Sequence, residues 1–159
     1  MELRAENCGD QPLSYTGALH TYFHIAHINN IGVEGCDQVS YFDKLSGLMQ
    51  TQQGTITFQG ETDRVYVDTT ATTVIKDAGM GRSIQIAKSG SRSTVVWNPG
   101  AEKAKKMPDF GDQEYTGMVC VETANVSLPE LSPAQHDLVT LAPGQSHTLA
   151  ATISVASLL

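Results

Sequence analysis

The chain lacks the basic excess that a nucleic-acid binder needs. Ten lysines and arginines face seventeen acids, leaving a formal net charge of −7 over 159 residues. A phosphate backbone is gripped by a cationic footprint, so no nucleic-acid partner is expected. Long apolar runs are missing too. No segment approaches the roughly 18 consecutive apolar residues that cross a membrane as a helix, and the start, MELRAENCGD, has two acids before residue 7 and no apolar core of a signal peptide. The expectation is a cytoplasmic protein without membrane contact. Cysteine is scarce: Cys8, Cys36 and Cys120 are odd in number, far apart and never in a CxxC pair. That argues against a disulfide framework or a thiolate zinc site, and for reduced, buried thiols. GMG at residues 79–81 is too short, and lies between strand-like segments, to cradle a nucleotide phosphate. No repeat period is visible.

What is present is short alternation. RVYVD, SIQIAK, STVVWN and MVCVE each place apolar residues at period 2, with turn signals such as FQGETD, DAGMG, KSGS and NPG between them. This predicts an all-β chain, one domain over residues 1–159, with about ten to a dozen strands arranged as a sandwich or barrel. The best helical stretch, Ala101 to Met107, is stopped by Pro108 after about two turns. SLPELSPAQHD, residues 127–137, reads as a loop, and LVTLAPGQSHTLAATISV after it reads as a last hairpin. Seven of the ten basic residues fall between 76 and 106, which makes that window +5 and the remainder −12. A charge run of this kind predicts a solvated face more readily than an anion site.

Chemistry concentrates in TGALHTYFHIAHI, with His20, His24 and His27 in eight residues. On a strand, Ala18, His20, Tyr22 and His24 share one face and His27 points away. A His20/His24 pair would need a third or fourth ligand at tight spacing to hold a metal. None stands nearby in sequence, so a metal is not the expected reading. In GMVCVETAN, Met118, Cys120 and Glu122 share a face. Among such neighbours an unpaired carboxylate has a raised pKa, whereas at a strand end it turns to solvent. Asp63 opens the strand after GET, where a short acid accepts ligand hydroxyls or shapes the turn. Trp97, the single tryptophan, serves as core or as a platform for a sugar ring.

Taken together, ALHTYF, VEGC with YFDK, ITFQGETDRVY, RSTVVWNPG with KKMPDFGDQEY, and MVCVETAN resemble the glucose-6-phosphate 1-epimerases, the hexose-6-phosphate mutarotases of the aldose 1-epimerase superfamily. The resemblance runs from about residue 3 to 155 and covers only the family's C-terminal half. It implies a galactose-mutarotase-like β-supersandwich, here a partial one. It also implies that His20 is the catalytic histidine, Glu122 the catalytic glutamate and Asp63 a substrate-binding aspartate, with no cofactor. The substrate implied is a hexose phosphate whose α and β anomers interconvert by acid–base catalysis, with His24 and His27 left to structural roles. The absent half carries, in relatives, the arginines that bind the sugar phosphate, so weakened turnover is expected. Gly100 stands where many relatives have tryptophan, and residues 127–137 lengthen a connection that is usually short. Two other readings are a non-catalytic carbohydrate-binding module and a cupin-like metal protein built on His20 and His24. Half a supersandwich leaves strand edges and apolar sheet surface uncovered, which predicts a homodimer.

Overall fold

The computed structural model describes residues 1–158. Its strands are β1 (Glu2–Glu6), β2 (Leu13–Tyr15), β3 (Gly17–Leu19), β4 (Tyr22–His24), β5 (Ile31–Glu34), β6 (Ser40–Asp43), β7 (Leu48–Thr51), β8 (Thr62–Tyr66), β9 (Thr73–Asp77), β10 (Arg82–Ser89), β11 (Ser93–Asn98), β12 (Met118–Asn125), β13 (Val139–Leu141) and β14 (Ser146–Ser157). One short helix, α1 (Gly100–Ala104), interrupts them. All ladders are antiparallel. One sheet runs β1-β14-β10-β9-β5, a second runs β3-β12-β11-β8-β6-β7, with β4 also on β12, and β13 and β2 form a small two-stranded third.

Period-2 patterning explains how the two sheets meet. Phe23, Val119, Val121, Val96 and Tyr66 of the larger sheet point inward and pack with Ile75, Ile84 and Ile86 of the smaller one, forming the main core. The opposite side of the larger sheet is not simply solvated. Phe42, Val65 and Val67 form a second apolar cluster there, sealed by Leu131 and Leu128 of the segment at 127–137. That segment is therefore a loop, as expected, but a packed one. Its Asp137 carboxylate accepts from the Arg92 amide at 2.7 Å and from Asn125 Nδ2 at 3.1 Å, which pins its end to the sheet.

Several sequence expectations need correction. Fourteen strands form among the described residues, more than expected: the histidine segment splits into β3 and β4, and short β2 was not anticipated. The final hairpin does not form: β13 pairs with β2, while β14 pairs with β1 and β10. Asn7 supplies the reason, since its side-chain amide donates to Leu141 O and Gln11 O and ties β13 to the early chain. The helix is a single turn that begins at Gly100, whose φ of 62° and backbone contact leave no room for a side chain. A Cβ there would lie 2.5 Å from the Glu61 amide nitrogen. Nor is the basic window one solvated face. Lys88 turns into the sandwich and donates to Ser93 O and Thr94 Oγ1, both at 2.7 Å, and burial depresses its pKa to about 8. Arg82 meets the buried Asp77 at 3.5 Å and Lys103 meets Glu61 at 2.6 Å.

Candidate active site

Strand register assembles the site. β3 and β4 pair with β12 in one continuous register, Leu19 opposite Thr123 and Tyr22 opposite Cys120, so the intervening break sets His20 across from Glu122. The next row carries Tyr22, Cys120, Trp97 and Asp63 side by side on four neighbouring strands. Lys44, just past β6, closes that row by donating its amide to Asp63 O at 3.0 Å. Directly opposed residues of an antiparallel ladder share a face. His20, Tyr22, Lys44, Asp63, Trp97 and Glu122 therefore line one cleft of about 550 Å³ on the outer face of the larger sheet, with the Cys120 thiol buried beside them.

His20 Nδ1 lies 3.1 Å from Glu122 Oε1. The approach is out of line for a hydrogen bond, and Oε1 has no hydrogen-bond donor among the described residues. Glu122 is only 3% exposed, whereas the His20 side chain is 59% exposed. Burial pushes the Glu122 carboxyl up to about 7, the negative charge of Asp63 adds to that, and Lys44 opposes it. A buried acceptor with no donor is uncommon in a folded protein and marks this carboxylate as a candidate for chemistry. The His20 ring stacks on Tyr22 at 5.7 Å, and Tyr22 meets Trp97 edge-on at 6.0 Å. Lys44 Nζ sits 3.5 Å from Asp63 Oδ1, and Lys103 Nζ lies 6.0 Å from the Trp97 ring centroid.

His20, Asp63, Trp97 and Glu122 thus come together on one surface. Glu122 is not a strand-end residue turned to solvent, because β12 continues to Asn125 and every residue of it is buried. His24 and His27 stay apart from the site: His24 Nδ1 contacts Gly117 O at 3.2 Å, and the His27 side chain accepts from the Asn29 amide at 3.2 Å. Sequence reasoning did not assign Tyr22, Lys44 or the wall Val126–Leu128 to the cleft. Tyr22 was signalled by its place two residues after His20. Cys120 also went unassigned: its Sγ, a nitrogen of His20 and a carboxylate oxygen of Glu122 all lie within 4.8 Å of one another. Burial raises the Cys120 pKa strongly, with the Glu122 charge adding to the effect.

Comparison with known proteins identifies the family and the fold. The family model described as aldose 1-epimerase matches residues 1–154. A protein of Cenchrus ciliaris named "Putative glucose-6-phosphate 1-epimerase" is 39% identical over 145 residues, which is 90% of this chain and 41% of that one. A Salmonella typhimurium protein of the same name is 36% identical over 117 residues, covering 72% of this chain and 40% of the other. Among solved structures, YeaD from Salmonella typhimurium superposes with a TM-score of 0.81 at 32% identity over 98% of this chain and 50% of its own. A galactose mutarotase-like protein from Lactobacillus casei, at 11% identity and TM-score 0.72, shares the fold. The chain spans about two fifths to one half of the length of these named epimerases and of YeaD. With a family match along nearly its whole length, the chain belongs to the aldose 1-epimerase family.

Proposed function

We propose that the cleft interconverts the α and β anomers of an aldohexose, with a hexose 6-phosphate as the preferred substrate, by general acid–base catalysis. The observation that carries this reading is the 3.1 Å approach of His20 to the buried, donorless Oε1 of Glu122. Glu122 takes the proton of the anomeric hydroxyl while protonated His20 delivers one to the ring oxygen, and the C1–O5 bond breaks. The open chain rotates about C1–C2, O5 attacks the other face of the aldehyde, and both protons return along the same routes. The two groups sit in different environments, Glu122 buried and His20 at the surface. Asp63 accepts from sugar hydroxyls, and the Trp97 ring supports the pyranose face. The substrate preference rests on the names of the relatives.

Exchange of the glucose 6-phosphate anomers followed by NMR tests the reading. The purified chain is expected to accelerate exchange over buffer, and Glu122→Gln and His20→Ala are expected to abolish the acceleration. Sugar binding without any acceleration would favour a carbohydrate-binding module instead, a reading that the exposed Tyr22 beside Trp97 also suits. Acceleration that persists in Glu122→Gln would remove the mechanism.

A further inference from the structure

We propose that His20, Cys120 and Glu122 form a site for a thiophilic divalent cation of the zinc class, and that its occupation shuts the cleft down. The donors are one ring nitrogen, one thiol sulfur and one carboxylate oxygen, mutually within 4.8 Å. Around a tetrahedral zinc, with bonds of about 2.0–2.3 Å, such donors stand roughly 3.3–3.8 Å apart, so closing the set needs a movement of about an ångström. The scaffold can hold it. Cys120 and Glu122 are alternate residues on the outer face of β12, flanked by β11 on one side and β3 and β4 on the other. His20 is exposed, in the break between β3 and β4, and is free to swing onto an ion.

A second observation at the cluster points to a ligand: Glu122 is nine-tenths buried or more, and its Oε1 has no hydrogen-bond donor among the described residues. Thiol and imidazole together select zinc, cobalt and cadmium over magnesium and calcium, which prefer all-oxygen sets. Three protein ligands leave a fourth position for solvent or another ligand, the arrangement of an exchangeable rather than a structural ion. On binding, the Cys120 thiol proton passes to solvent as the sulfur–metal bond forms, and no electron changes hands. The blocking effect rests on the proposed acid–base chemistry, since both of its groups become ligands. The binding itself does not.

Cobalt(II) titration of the purified chain provides the test. A saturable near-ultraviolet thiolate-to-cobalt band is expected, reaching one ion per chain. It should vanish in Cys120→Ser and persist in Cys8→Ser, which removes the exposed thiol. His20→Ala, a change at an exposed side chain, should weaken binding by about tenfold or more and guards against a misfolded Cys120 variant. No saturable band in the wild type, or a band that follows Cys8, overturns the site. Zinc should then halt anomer exchange and a chelator should restore it. Exchange untouched by saturating zinc overturns the blocking role, while a wild-type chain with no exchange at all counts against the proposed function and leaves the cobalt result to decide the site.

Discussion

Two long strands of this molecule solve the same problem differently. β12 is buried along its whole length, with the sandwich core on one side and the cleft on the other, and it is flanked by β11 and by β3 and β4. β14 is longer, but β1 covers only its first part, from Ser146 to Ala150, and its later residues are exposed. On β12 the inward residues Val119 and Val121 pack with hydrocarbon, while the outward Cys120 and Glu122 are as well buried and carry the chemistry. On β14, Ile153 and Val155 stand opposite Ile86 and Ile84 on the core-facing side, yet they are 38% and 60% exposed. Burial on both faces is what allows β12 to hold a carboxylate away from water. β14 shows the same fold where the cover runs out.

The largest way to break the contrast is Glu122→Gln, which keeps the shape and removes the base. Anomer exchange should fall by about 10²–10⁴-fold, with the thermal midpoint unchanged or raised. His20→Ala should cost activity on a similar scale. Next comes pH. With the Glu122 carboxyl at about 7, kcat/KM should drop about tenfold per unit below that value as the base becomes protonated. Stability carries the opposite sign: between the ordinary 4.5 and about 7 the folded chain retains a proton that the unfolded chain releases, so stability falls as pH rises through that window. Above pH 7, Glu122→Gln should therefore exceed the wild type by at most about 3 kcal/mol, and denaturant titrations at pH 4.5 and 8 would show whether the gap opens. On the inward face of the same strand, Val119→Ala should do the reverse. It should lose about 1–3 kcal/mol of stability with exchange per folded molecule unaltered.

What the sequence made legible follows the range of the interactions. Period-2 patterning found β10, β11 and β12, and STVVWN coincides with β11 residue for residue, because alternation is written locally. The face shared by Cys120 and Glu122 was legible for the same reason. The meeting of His20 with Glu122 was not contained in either segment. It depends on a ladder joining residues about a hundred positions apart, and only the resemblance to a known family brought the two together in advance. Cys120 went unassigned on the same account, since it reaches His20 from across the ladder and not along the chain. Long-range contacts also explain the misplaced final hairpin, which Asn7 redirects, and Lys88, whose charge suggested solvent until Ser93 and Thr94 supplied its partners.

The smallest expected effect lies on β14. Ile153 and Val155 occupy core-facing positions that no described strand covers, beside backbone whose ladder partner is β10 alone. An uncovered apolar strip along an open edge is a template for pairing with a second copy, most simply around a twofold axis that sets two β14 edges antiparallel. Replacing Val155 with lysine puts a charge on that strip. Because the side chain is already 60% exposed, the stability of one chain should move by less than about 0.5 kcal/mol. Sedimentation should nevertheless shift from dimer to monomer, as a charge buried at the twofold axis would face its own copy. A wild-type chain that sediments as a monomer at high concentration would show that β14 ends in open water by its own balance of edge and twist, and the contrast with β12 would then be one of cover alone.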